Sequence, residues 1–334
     1  MTNIQTVATQ AGVSVATVSR VFNRPDKVTT STRELVAQVA QELGYLPNAS
    51  ARTLRTHRSR VLGVVLPTLL NPVFAECLQG IAQAANAGGY AILPLTTRYE
   101  LKEEERAVQQ LSASGVDGMI LVVSNPASSE ALARLRTAGM PYVLAYNRHA
   151  DHPCVTVDNE EASIEAVMRL ASLGHRHIAM VSGTLAASDR AQQRYRGFLR
   201  GMAQAGLTAP PLLEVPFVEA AVEAMCTVLR QPNRPTALFC SNDLLAIRSM
   251  RAAHLCGLRV PADLAVIGFD GIALGQDLIP TLSTVAQPNG EIGRRSVELV
   301  IQALANGRAP LGPESSVLLP HVFRVGESCV SATA

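Results

Sequence analysis

In Ala11-Gly12-Val13-Ser14-Val15-Ala16-Thr17-Val18-Ser19-Arg20-Val21, a glycine and a serine interrupt a helical spacing of apolar residues and then restart it. Upstream, Ile4, Val7, Ala8 and Ala11 share one helical face; downstream, Val15, Val18, Val21 and Phe22 resume the period. Gly12 suits the left-handed residue of a tight turn, and Ser14 suits an N-cap whose hydroxyl takes up a free backbone N–H. A third helix is expected after Asn23-Arg24-Pro25-Asp26, opened by a Ser31-x-x-Glu34 capping box, buried through Leu35, Val36, Val39 and Leu43, and closed by Gly44. Three short helices, with small Ala8 at the crossing of the first two, make a helix-turn-helix. Its second helix presents Val15, Ala16, Thr17, Ser19 and Arg20, with Ser14 at its start and Asn23 at its end. Such side chains read a major groove: Arg binds guanine, Ala and Val touch a thymine methyl, and Thr or Ser meets phosphate. The helical pattern alone also fits a mini-domain that binds protein.

Charge bears on that choice. Residues 1–60 hold eight Lys/Arg against three Asp/Glu, a net +5, which leaves −3 for the rest of a chain whose total is +2. Basic charge gathered in one small terminal segment is the footprint of a polyanion, and nucleic acid is the usual one. In the next stretch, Tyr45-Leu46-Pro47-Asn48-Ala49-Ser50-Ala51-Arg52-Thr53-Leu54-Arg55-Thr56, Pro47 and the Asn48 cap can start a helix. About two turns are too few to be stable alone in water, so it orders only when something holds it.

These two stretches, 11–21 and Gly44-Tyr45-x-Pro47-Asn48-x-x-Ala51-Arg52-x-Leu54-Arg55, resemble the head-piece and hinge of the lactose/galactose-repressor (LacI/GalR) family of bacterial transcription factors, at that family's spacing. The resemblance implies a homodimer on palindromic double-stranded operator DNA. It also implies hinge helices paired over the operator centre, and DNA contacts from Asn48, Ala51, Arg52, Leu54 and Arg55, with Leu54 as a minor-groove wedge. An apolar wedge unstacks a base step and kinks the duplex, which agrees with a leucine set among Arg52, Arg55 and Arg58.

After Arg60 the texture changes. Strand-like apolar runs at 61–66, 90–95, 118–123, 141–146, 178–182, 237–240 and 264–268 alternate with helical runs such as 75–87, 103–114, 160–173, 194–205 and 244–256. Repeated βα units build parallel sheets covered on both faces. The resemblance continues through Leu66-Pro67-x-x-x-Asn71-Pro72-x-Phe74, Val157-Asp158-Asn159, 173–179, Ser241-Asn242-Asp243, Ile267-Gly268-Phe269-Asp270 and Leu282-Ser283-Thr284-Val285-x-Gln287-Pro288. It implies a two-lobed α/β core like the periplasmic sugar-binding proteins. The expected organisation is a helix-turn-helix domain at 1–46, a hinge at 47–58 and an effector-binding, dimerising core at 59–334. The first lobe takes about 59–157 plus 286–312, and the second about 158–285 plus 313–330. The chain is expected to cross between lobes at 155–157 and 283–285.

In open α/β sheets, ligands collect beyond the carboxyl ends of strands. That rule selects Asn71, Phe74, Arg98, Asn147, Arg148, Asp189, Arg190, Arg194, Asn242 and Asp270. The resemblance puts Phe74, Arg194, Asn242 and Asp270 at positions that contact effector. An aromatic face packs a ring, while Arg, Asn and Asp fix hydroxyls and charge. Four arginines at one cleft favour an anion, a sugar acid or sugar phosphate, through bidentate pairing. Within the family, 66–76 resembles the gluconate-type repressors.

No G-x-x-x-x-G-K-[ST], G-x-G-x-x-G, H-E-x-x-H or G-x-S-x-G occurs in the chain, so neither catalysis nor a cofactor is expected. His175 and His177 are read as structural, with no metal. The six dispersed cysteines lack any C-x-x-C pair and read as small hydrophobes in a reducing compartment. Met1-Thr2-Asn3-Ile4-Gln5 lacks a basic-then-apolar leader, and no apolar run is long enough for a membrane helix. The expectation is a cytoplasmic, ligand-controlled repressor of a carbohydrate or sugar-acid operon. A second reading from another class is a stand-alone sugar-binding protein with no regulatory role.

Overall fold

The computed structural model describes residues 3–45, 58–217 and 221–331. Residues 1–59 and 60–334 form two compact units, each with its own core. In the first unit, α1 (Ile4–Gln10), α2 (Val15–Asn23) and α3 (Thr30–Glu42) bury Val7, Ala8, Ala11, Val18, Val21, Val36, Val39 and Ala40 together. Asn3 and Ser14 cap the first two helices, each side chain accepting the N–H three residues on, from Thr6 and Thr17. Gly12 carries the turn between them at φ +65°, where a residue without Cβ meets no steric cost.

The third helix departs from its expected start. Thr29, not Ser31, is the cap, accepting the Thr32 N–H, so Glu34 lies in the helix body. Leu35, expected in the core, is exposed. With Val36, Val39 and Ala40 facing inward, residue 35 is turned about 100° away along the helix.

The second unit is two α/β lobes. The first holds β1 (Val61–Leu66), α4 (Pro72–Ala87), β2 (Ala91–Thr96), α5 (Leu101–Ala113), β3 (Gly118–Leu121), α6 (Glu130–Thr137), β4 (Tyr142–Ala145) and β5 (Cys154–Thr156). The second holds α7 (Asn159–Ser172), β6 (Ile178–Gly183), α8 (Asp189–Gln204), β7 (Leu213–Val215), α9 (Val222–Leu229), β8 (Ala237–Cys240), α10 (Asp243–Leu255), β9 (Ala265–Asp270) and β10 (Ser283–Ala286). The chain returns to the first lobe for α11 (Asn289–Ala305) and β11 (Val317–Leu318), then ends in the second with β12 (Val322–Arg324).

Each lobe has a six-stranded sheet, in the orders β11-β5-β4-β3-β1-β2 and β12-β10-β9-β8-β6-β7. Every pairing is parallel except that of β10 with β12. Helices cover both faces, which is why β3, β4, β8 and β9 are buried along their whole length and read as unbroken apolar runs. The segments expected to cross between lobes are themselves strands, β5 and β10, and the crossings follow directly after them. The last return was expected near 313. It falls later, because Val317 pairs with Val155 and the Leu319 N–H bonds Thr156 O, so the chain first adds an edge strand to the first sheet.

In both sheets the chain reverses its winding beside the first strand, between β1 and β3 and between β6 and β8. Such switch points leave a crevice at the carboxyl ends of the strands. No helix among the described residues is long and apolar enough to cross a membrane.

Candidate functional site

The second helix of the first unit presents an outward-facing surface. Val15, Ala16 and Arg20 are exposed at the start and along one side of α2, while Val18 and Val21 face the core. Thr17 and Ser19 are half-buried beside them, and the Ser14 and Thr17 hydroxyls lie 2.9 Å apart. The expected contacts Asn48, Ala51, Arg52, Leu54 and Arg55, and the side chain of Asn23, lie outside the described residues.

The second unit has a narrow cleft between its lobes, and its walls come from strand ends. Asn71 and Phe74 follow β1, Tyr99 follows β2 and Tyr146 follows β4; Ser188, Arg190 and Arg194 follow β6, Phe217 follows β7, Ser241 and Asn242 follow β8, Asp270 ends β9, and Gln287 follows β10. Asn71 and Asn242 also cap α4 and α10, accepting the N–H groups of Val73 and Leu245. Aromatic rings line one part of the cleft. Tyr99 of the first lobe stacks on Phe217 of the second at 4.6 Å and 12°, and Phe74 sits edge-on to Tyr99 and Tyr146. Gly183 makes room for this: a Cβ there would collide with the Phe217 ring.

A buried ion pair lines another part. Arg194 Nη1 lies 3.1 Å from Asp270 Oδ1 and donates to Ser241 O at 2.5 Å; Nε donates to Asn159 Oδ1 at 2.9 Å, and the guanidinium lies 3.6 Å over the Phe269 ring. Asp270 also accepts from Gln287 Nε2 at 2.8 Å. Burial pushes the Asp270 carboxyl up to about 6 against the opposing pull of Arg194. Behind it, burial and the charge of Asp270 push Asp243 up to about 8; its oxygens meet the Thr284 hydroxyl and the Ile272 N–H.

Backbone strain marks the same place. Tyr99 (φ +64°), Tyr146 (φ +65°) and Asp270 (φ +114°) hold left-handed conformations that L-residues adopt at a cost, and such positions gather at functional sites.

Of the ten residues that the strand-end rule selects, Asn71, Phe74, Arg190, Arg194, Asn242 and Asp270 line this cleft, whereas Asp189 does not and accepts from Asn147 Nδ2 at 2.6 Å. Arg98 does not: its side chain is 75 % exposed and pairs with Glu100, because consecutive left-handed residues at 98 and 99 turn Tyr99 inward in its place. Arg148 pairs with Asp158 at 2.6 Å beside the crossing. Asn147 is fully buried and bonds Val123 and Asp189, joining strand ends rather than lining the cleft.

Sequence reasoning missed Tyr99, Tyr146, Ser188, Phe217, Ser241 and Gln287. The strand-end rule reaches Tyr99 and Tyr146 once aromatic residues are weighed with polar ones. Phe217 had no signal, because three-residue β7 was not legible as a strand. Among the described residues no group of three His, Cys, Asp or Glu is placed to hold a metal, and His175 bonds Thr236 and Val330 O.

A helix-turn-helix unit and a two-lobed core with a strand-end cleft, carried on one chain, define a ligand-responsive DNA-binding regulator. Comparison with known proteins agrees: residues 3–48 match the model of bacterial regulatory proteins of the lacI family, and residues 167–329 match a periplasmic binding protein-like domain. The chain is 34 % identical to the HTH-type transcriptional repressor CytR of Escherichia coli (strain K12), over 89 % of this chain and 88 % of that one. In structure it is similar to the lac repressor dimer bound to operator and the anti-inducer ONPF (TM-score 0.85, 27 % identity, 98 % and 99 % covered). It is also similar to a transcriptional regulator CelR–cellobiose complex (TM-score 0.71, 26 % identity, 98 % and 100 % covered). The chain belongs to the lacI family, and it is a DNA-binding transcriptional regulator.

Proposed function

We propose that the protein is a homodimeric cytoplasmic repressor of a carbohydrate-utilisation operon. On this reading Val15, Ala16 and Arg20 read base edges of a palindromic operator, and Ser14, Thr17 and Ser19 meet its phosphates. Asn23, Asn48, Ala51, Arg52, Leu54 and Arg55 complete the DNA contacts. A small sugar-like molecule enters the cleft and is bound without turnover, its ring face on Phe74, Tyr99 and Phe217 and its hydroxyls on Asn71, Arg194, Asn242 and Asp270. The sugar-acid form of the expectation loses support with Arg98 and Arg148, which pair elsewhere. The single observation that carries the reading is that the Tyr99–Phe217 stack joins the two lobes across one cleft. A ligand seated there must alter the relation between lobes, and lobes that close differently shift a segment too short to be helical alone.

Mobility-shift titration tests this. The full chain binds an inverted-repeat duplex selected from random sequence, and a chain lacking residues 1–59 does not. Equal behaviour of the two would favour a stand-alone binding protein.

A further inference from the structure

Away from the cleft, one buried carboxylate holds the point where the chain enters the second unit. Asp117, 1 % exposed just before β3, accepts the backbone N–H of Arg60 at 2.9 Å through Oδ2 and Arg308 Nη2 at 2.8 Å through Oδ1. Arg60 is the second residue after the expected hinge at 47–58, and its guanidinium lies 5.0 Å over the Tyr90 ring. Both arginines hold left-handed backbones, φ +58° and +65°, which an L-residue keeps only where its surroundings fix it. A buried carboxylate with these two donors is such a surrounding, because charge-assisted hydrogen bonds are the strong ones.

Arg308 follows α11, and α11 begins at the cleft. Asn289 in its first turn donates to Asp270 O at 3.2 Å and to Glu76 Oε2 at 2.8 Å, and accepts from the Tyr146 hydroxyl at 3.2 Å. From there 17 residues of helix span roughly 25 Å. The helix is seated on α4 through glycines: a Cβ at Gly80 would collide with Gly290 O, and one at Gly293 with Cys77 O. Helices packed this closely transmit a displacement rather than absorb it. One end of the pair carries Asn71 and Phe74 of the cleft wall, and the other reaches Arg60 through Arg308 and Asp117.

We infer that Asp117 is a positioning residue for DNA binding: with Arg308 it ties the backbone at Arg60, and so the end of the hinge, to a helix that begins at the cleft. It acts through Arg60 and not on DNA itself. The inference goes beyond the proposed function and stands whichever molecule the cleft takes.

Substitutions of opposite charge test it, in mobility-shift titrations of the full chain with the inverted-repeat duplex that the parental chain enriches from random sequence. Arg308→Met removes a cation. Asp117→Asn removes an anion and, whichever way its amide turns, leaves one of the two donors without an acceptor. A clamp makes both weaken duplex binding, by roughly fivefold or more, with the salt dependence unchanged. Direct electrostatics separates them instead: loss of a phosphate contact lowers the salt slope by about one, and loss of an acid strengthens binding. Arg308→Lys, which keeps a cation for Asp117, should recover most of the parental affinity. Asn289→Ala breaks the cleft end of α11 and should weaken the duplex as well. Combined with Arg308→Met it should add less than the product of the two single effects, because both break one connection. Circular dichroism and melting temperature report folding, and Tyr146→Phe, which removes the hydroxyl on Asn289, replaces Asn289→Ala if that variant does not fold. Three results overturn the inference: parental duplex affinity in folded Asp117→Asn and Arg308→Met, opposite effects of these two, or single effects at 289 and 308 that multiply. A merely structural clamp gives the first, a lower melting temperature with parental affinity. A parental chain that enriches no duplex removes the operator reading itself, and the inference with it.

Discussion

The outward face of α2 is carried on nine consecutive residues, Val15–Asn23, whereas the cleft draws on residues from Asn71 to Gln287 that meet only after two sheets have formed. Position in a helix sets which side chains of α2 point outward, and one cap and one turn residue set where the helix begins. Position in the cleft depends on tertiary closure, on three strained backbones, and on a buried ion pair whose partners are 76 residues apart. A local surface tolerates change residue by residue. A convergent one shares its partners, so a substitution there spreads.

The largest expected effect follows from that sharing. Arg194→Met leaves Asp270 buried without its cation and is expected to cost about 3–5 kcal/mol in urea unfolding of the second unit. Adding Asp270→Leu removes the orphaned charge and should restore most of that stability, because a buried pair replaced by apolar residues is often neutral. A double replacement as unstable as the single one would break the contrast, since the pair would then not be the shared element. In the head, Ser14→Ala removes only the cap on the Thr17 N–H and is expected to cost about 1 kcal/mol, confined to residues 3–45. Hydrogen exchange resolves the two units and checks that confinement.

A third expected effect is a pH dependence. The folded-state acidity of Asp243 lies at about 8, above its ordinary value, so between those limits the folded chain binds more protons than the unfolded one. Its contribution to stability is fully present at low pH and is lost as pH rises through about 8. The second unit should therefore melt at a lower temperature at about pH 9 than at about pH 6. Asp243→Asn, whose amide reproduces the donor of the protonated acid, should flatten that slope. An unchanged slope in the variant would assign the dependence to another group.

The sequence was legible where the physics is local. Gly12, Ser14 and the apolar period of residues 4–22 place the first two helices, and unbroken apolar runs mark the buried parallel strands. Arg194 and Asp270 were legible through family motifs and strand ends. The strand-end rule selects Arg98, yet the side chain that faces inward is that of Tyr99, set by two successive positive φ values that no composition rule reports. β7, β11 and β12 have two or three residues each and take their form from the neighbouring strand, so Phe217 and the late return after Leu318 had no local signature. The N-cap at Thr29 was masked by a serine and glutamate at capping-box spacing two residues further on.

Selection of duplexes from a random library, by the full chain with parental and altered residue 16, tests the central claim most directly. The parental chain should enrich two half-sites related by inversion. Replacing Ala16 should change the preferred base in both halves together, with a mismatch costing about 1–3 kcal/mol, while general affinity is retained. Enrichment of the same sequences by both chains, or no enrichment by either, would contradict it.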